Sequence, residues 1–180
     1  MKKKAYYAYI VLLLLAFLSH IQGAGFIGHF LPVYLLAAPI VLQRKIRFSF
    51  SVKGLLLGLS ASLVILAPFY LIMPTAGRAG ADITARFIMT QLLAVALPEE
   101  VFFRGFLQEA LGNTVKAALL SSGLFSLAHL PAFIFQHDVY ALLTFFPSLV
   151  MGFLYLRSAN ILPPVIFHFF CNVLFLGFML

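Results

Sequence analysis

The stretch LPEEVFFRG at residues 97–105 sets two adjacent carboxylates, Glu99 and Glu100, and one guanidinium, Arg104, into a chain that is otherwise almost uniformly apolar. Two further points of polarity follow. Phe125 and His129 stand in FSLAHL, and His168 and Asn172 stand in VIFHFFCNV with Cys171 beside them. A charge at the centre of a bilayer costs about 2.5 to 3.5 kcal/mol on insertion scales, so such residues require a use. On a helix, residues four apart share a face: Glu100 can pair with Arg104, whereas Glu99, turned by about 100° from Glu100, has no local partner. Phe125 and His129 share a face in the same way, as do His168 and Asn172. Pro98 cannot supply the ordinary helical hydrogen bond, which predicts a kink or local opening beside the glutamates.

If the three helices converge, two carboxylates, two imidazoles, a guanidinium and a carboxamide meet near mid-membrane. Several chemistries use such a set. Carboxylates and imidazoles are a credible Zn²⁺ ligand set for a metalloprotease assembled from several helices, although no HExxH is present. The same residues would suit a proton-coupled transporter or pore, against which stand the lack of a visible inverted repeat and the clustering of polar residues in one sector. A non-catalytic membrane chaperone or immunity factor could keep the pocket as scaffold. Cys171 and His168 raise a thiol protease but lack a positioned third group, so Cys171 reads as a packing residue. Intramembrane histidines also serve as interhelical hydrogen-bond partners, worth about 0.6 to 2 kcal/mol. His20, His29 and His137, near span ends or in a loop, are read that way. Gly105 and Gly152 read as packing residues, and Phe102 and Phe103 as lipid-facing or core surface.

The elements that must position these groups are membrane helices. Of the 180 residues, 63% are hydrophobic and only 9% charged, with a mean hydropathy of +1.08, far from the roughly 25% charged residues of soluble domains. The chain reads as an all-α, polytopic membrane helix bundle of about seven transmembrane helices in a single domain, 1–180. Apolar windows run at about 6–22, 24–42, 54–73, 84–110, 116–135, 138–156 and 161–179, divided by breakers and charges such as QRKIRFSFSVK and MPTAGRAGAD. Pro147 and Gly152 interrupt the sixth. The start MKKKAYYAYIVLLLLAFLSHIQG has the basic and apolar regions of a signal peptide but no A-x-A-like site, and is read as an uncleaved first helix.

The net charge of +7 does not indicate nucleic acid, because Lys and Arg sit in tufts between apolar runs. With the N-terminus in the cytoplasm, Lys2, Lys3, Lys4, Arg44, Lys45, Arg47, Lys53, Lys116 and Arg157 fall inside, against Arg78 and Arg86 outside, as the positive-inside rule requires. The single cysteine excludes an intramolecular disulfide.

Taken together and in order, Glu99-Glu100-x-x-x-Arg104, Phe125-x-x-x-His129 and His168-x-x-x-Asn172 look like the signature motifs of the CAAX protease and bacteriocin-processing family. These are intramembrane glutamic endopeptidases that include the type II CAAX prenyl endopeptidases. The resemblance covers residues 98–172; the first three spans offer only hydrophobicity. It implies that Glu99 and His129 activate water, that His168 and Asn172 stabilise the oxyanion, and that Glu100 and Arg104 organise the site. It implies no cofactor and no metal. The implied partner is a membrane-associated protein or peptide, cut near its C-terminus or in a membrane segment within the lipid bilayer. The short loops suggest a minimal, prokaryotic-type member of the plasma (inner) membrane.

Overall fold

The computed structural model describes residues 2–43, 45–72 and 82–178. Among these the chain is all-helical, with seven helices. They are α1 Lys2–Leu18, α2 Gly25–Gln43 (its first turn 3₁₀), α3 Val52–Ile72, α4 at residues 85–111, α5 Val115–Gln136, α6 Tyr140–Ser158 and α7 Leu162–Phe178. Four of them, α2, α3, α5 and α6, are long and apolar enough to cross a membrane. By contrast α1 and α7 are shorter, and α4 carries Arg86, Glu99, Glu100, Arg104 and Glu109.

The helices follow the apolar windows, with shifts that local chemistry explains. The first window extends to residue 22, but α1 stops at Leu18. There Ser19 Oγ donates to Ala16 O (2.7 Å) and His20 Nδ1 bonds the same carbonyl (2.9 Å), capping the last turn. Gly23, at φ +82°, then turns the chain. Pro147 does not break α6, because it lies in the first turn after Thr144, where its missing N–H has no helical partner to lose. The expected separator at 73–81, with Arg78, lies outside the described residues, as does Arg44.

The centre of the bundle is α4. From Val101 to Gln108 every residue is buried, the all-round pattern of a helix enclosed by others. Phe102 and Phe103 are therefore core residues, not lipid-facing ones. Phe102 packs on Tyr34 of α2 (ring centroids 6.2 Å), while Phe103 packs edge-on against Tyr9 of α1 (6.4 Å) and Phe125 of α5 (4.9 Å). Apolar burial alone distinguishes poorly between helices and lipid tails, so close approach and interhelical hydrogen bonds must set the packing. Three tyrosines supply such bonds: Tyr9 to Leu124 O, Tyr34 to Ala8 O and Tyr70 to Phe170 O, all at 2.7 to 2.8 Å. Gly58 lets α3 lie directly on α7, since a Cβ there would come within 2.8 Å of Ile166 Cβ and 2.9 Å of Pro163 O.

One end of the bundle is tied by polar contacts around residues 45–51. Asn160 receives a bond from Ser49 N and returns one to Ser49 O, and Ile161 N donates to Arg47 O. Arg47 pairs with Glu109 (3.5 Å), which also accepts from Tyr155 Oη (2.8 Å). Exposed Lys45, Lys53, Lys116 and Arg157 belong to the same end, while Arg86 stands at the opposite end of α4.

Candidate active site

The glutamates sit on one α-turn between two wide turns. Residues Thr90–Ala96 and Val101–Gln108 of α4 are π-helical, and Leu97–Glu100 between them is α-helical. Pro98 accounts for the first widening. It has no N–H and its ring crowds the carbonyl four residues back, and just before it Leu97 N bonds Leu92 O, five residues back. The opening expected beside the glutamates thus takes the form of π turns, which recur at functional sites. Neighbouring side chains reach the carbonyls of the second segment: Ser121 Oγ donates to Phe103 O (3.0 Å) and Gln43 Nε2 to Gly105 O (3.0 Å).

Glu100 is fully buried and committed. Its Oε2 lies 3.1 Å from Arg104 Nε, also fully buried, and its Oε1 lies 2.9 Å from His168 Nδ1 of α7. The Glu100–Arg104 contact is an ion pair by distance, but its alignment completes no hydrogen bond. Arg104 is held instead through Nη2, which donates to Ser148 O (3.1 Å) and Ser148 Oγ (2.9 Å) on α6. Its guanidinium carbon stands 5.3 Å from the Phe125 ring centroid, within cation–π range. Glu99 is less enclosed. Its Oε2 lies 3.7 Å from His168 Nε2, too long for a hydrogen bond, and this buried oxygen accepts none from the described residues.

The Phe125 ring is where α4, α5 and α7 meet. Besides Arg104 it touches His129 (4.7 Å) and His168 (5.8 Å). At His129 the run of α5 breaks (φ −91°, ψ −1°), two residues before Pro131. His129 N turns to Ser126 O in the 3₁₀ manner, which frees Phe125 O to accept from His129 Nδ1 at 2.9 Å. A carbonyl can only accept, so Nδ1 carries a proton and the neutral ring keeps its lone pair on Nε2. Asn172, one turn beyond His168, donates from Nδ2 to Gln91 Oε1 of α4 at 3.1 Å.

The structure thus clusters Glu99, Glu100, Arg104 and His168 directly. His129 meets the same Phe125 ring as Arg104 and His168, and Asn172 bonds Gln91, farther toward the start of α4. Phe125 is already part of the second motif, whereas Ser148 and Gln91 carry no charge and stand in none of the three motifs, so the sequence signal passes over them. Among the described residues, no group of three or more His, Cys, Asp and Glu side chains is placed to hold a metal ion. Cys171 packs against the apolar core. An apolar groove of about 690 Å³ is lined by α3, Ile83 and the Phe170 and Val173 side of α7. At about 100° per residue that side is turned 140° to 200° from His168, so the groove faces away from the cluster.

A family model described as Rce1-like, type II CAAX prenyl endopeptidase, matches residues 82–174, a range that contains all six of these motif side chains. No curated protein and no solved structure gives a significant match.

Proposed function

The chain belongs to the Rce1-like type II CAAX prenyl endopeptidase family, and on that premise we propose that it cleaves by a water activated between Glu99 and His129. It is an integral membrane protease acting on a peptide or protein substrate in the membrane. The observation that carries the glutamic mechanism is the division between the two carboxylates. Glu100 is ion-paired with Arg104 at 3.1 Å and bonded to His168 at 2.9 Å, whereas Glu99 Oε2, also buried, has no hydrogen bond and lies 3.7 Å from its nearest ionisable partner among the described residues. That oxygen suits a water proton.

The His129 tautomer supports the same role, because its Nε2 lone pair can share the water proton. The water oxygen attacks the scissile carbonyl, and its proton passes by the Glu99–His129 pair to the leaving nitrogen as the C–N bond breaks. The oxyanion formed meanwhile needs preorganised donors. Asn172 Nδ2 offers one. His168 offers another as imidazolium, with Nδ1–H on Glu100 and Nε2–H on the oxyanion; in that form its charge and that of Arg104 cancel those of Glu99 and Glu100. Ser148 and Phe125 would keep Arg104, and through it Glu100, in place.

A membrane-tethered fluorogenic peptide, one version carrying a prenylated CAAX end, should be cut much faster than its soluble fragment, since the cluster lies midway along α4. Activity should survive EDTA and phenanthroline. Stoichiometric zinc whose removal and return switched activity off and on would replace this mechanism with a metalloprotease.

We further propose seven crossings of the plasma membrane with the basic end, and hence the N-terminus, in the cytoplasm. A protease site added before Lys2 should be cut only after right-side-out vesicles are opened. Cleavage of sealed vesicles would reverse the orientation.

A further inference from the structure

Gln91 belongs to none of the three motifs, yet it is the side chain that holds Asn172: Gln91 Oε1 and Asn172 Nδ2 stand 3.1 Å apart, where the π segment Thr90–Ala96 packs on α7. We propose that Gln91 is a positioning residue that fixes the Asn172 carboxamide with its amino group, rather than its oxygen, turned to the reacting carbonyl. This rests on the oxyanion role proposed above for Asn172.

A carboxamide has two ends of nearly equal size and opposite hydrogen-bonding sense. Half a turn about its last bond would present Asn172 Oδ1 to the developing oxyanion and change an attractive contact into a repulsive one. In bulk water either sense is solvated. In a half-buried site among apolar helices, an unmatched amide end is costly, so the partner group decides the sense. Gln91 Oε1 accepts one of the two hydrogens on Nδ2, and the second hydrogen on that nitrogen is left for the oxyanion. The wide turns before Pro98 have a further consequence here, because they set the rotation with which Gln91 meets α7 relative to Glu99 on the same helix. Exchanging both amides would give the opposite sense at the same distance. The substitutions below separate the two.

The test uses the full chain in proteoliposomes, with whichever tethered peptide the wild type cleaves. Gln91→Glu keeps oxygen acceptors at the same reach and should hold kcat within about threefold, whereas Gln91→Met, similar in shape without an acceptor, should lower kcat by about tenfold to a hundredfold, the range for a slightly misplaced catalytic group. KM should not change in either. In an Asn172→Ala background, Gln91→Met should cause no further loss. Wild-type kcat in Gln91→Met, or equal losses in Gln91→Met and Gln91→Glu, would overturn the proposal, as would an undiminished loss in the Asn172→Ala background. If Gln91→Met does not accumulate in the membrane, Gln91→Ala carries the same comparison. Asn172→Ala with unchanged kcat would remove the oxyanion reading itself. Impaired Asn172→Ala beside normal Gln91→Met would remove only the positioning role.

Discussion

Glu99→Gln and His129→Ala are each expected to lower peptide cleavage by at least about a hundredfold, the scale of lost acid–base catalysis, without changing the yield of protein in the membrane. The two halves of this expectation have separate causes. Activity should fall because glutamine at 99 cannot take a proton, and because alanine at 129 removes the Nε2 lone pair that the Phe125 carbonyl holds available. Yield should stand because neither side chain anchors the bundle: Glu99 is partly exposed and, among the described residues, its nearest ionisable partner is 3.7 Å away, while His129 forms its hydrogen bond within its own helix. Purified variants assayed on the tethered peptide give the answer. Retained activity in either would sink that residue's assigned role, and loss of membrane yield in both would make them structural.

Removing Glu100 or Arg104 should instead unfold the protein more easily as well as inactivate it, at about 3 to 5 kcal/mol for breaking a buried ion pair. Both side chains are fully buried, so solvent does not take over for the missing partner. The two losses should be unequal. After Arg104→Ala, Glu100 still has His168 at 2.9 Å; after Glu100→Ala, Arg104 is left with the Ser148 oxygens and the Phe125 ring. Glu100→Ala should therefore be the more damaging in thermal unfolding in detergent. Replacing both by near-isosteric neutral residues, Glu100→Gln with Arg104→Met, should recover much of the stability and none of the activity. A double variant no more stable than either single would show that the two charges do not support one another.

Periodicity alone determined that Glu100 pairs with Arg104, because partners four apart on a helix meet whatever surrounds them. It likewise determined the helical class and the approximate ends of the helices, since about 20 apolar residues bounded by charges have few alternatives. Pro98 marked where α4 departs from α geometry, for a missing N–H is a property of the residue itself. How α4 opened was settled by packing, which converted a kink or gap into two π segments, the second with Ser121 and Gln43 on its carbonyls. The rotation of each helix about its axis was likewise a tertiary matter, because in a chain apolar on most faces hydrophobicity does not say which face looks inward. For that reason Phe102 and Phe103, ambiguous as letters, are core. The same reason holds for the contacts of Glu100 with His168, Arg104 with Ser148 and Asn172 with Gln91, which join residues 68, 44 and 81 apart in the chain. Such contacts form only once α4, α6 and α7 have turned their polar faces toward one another, where a buried donor or acceptor without a partner is costly enough to select the rotation.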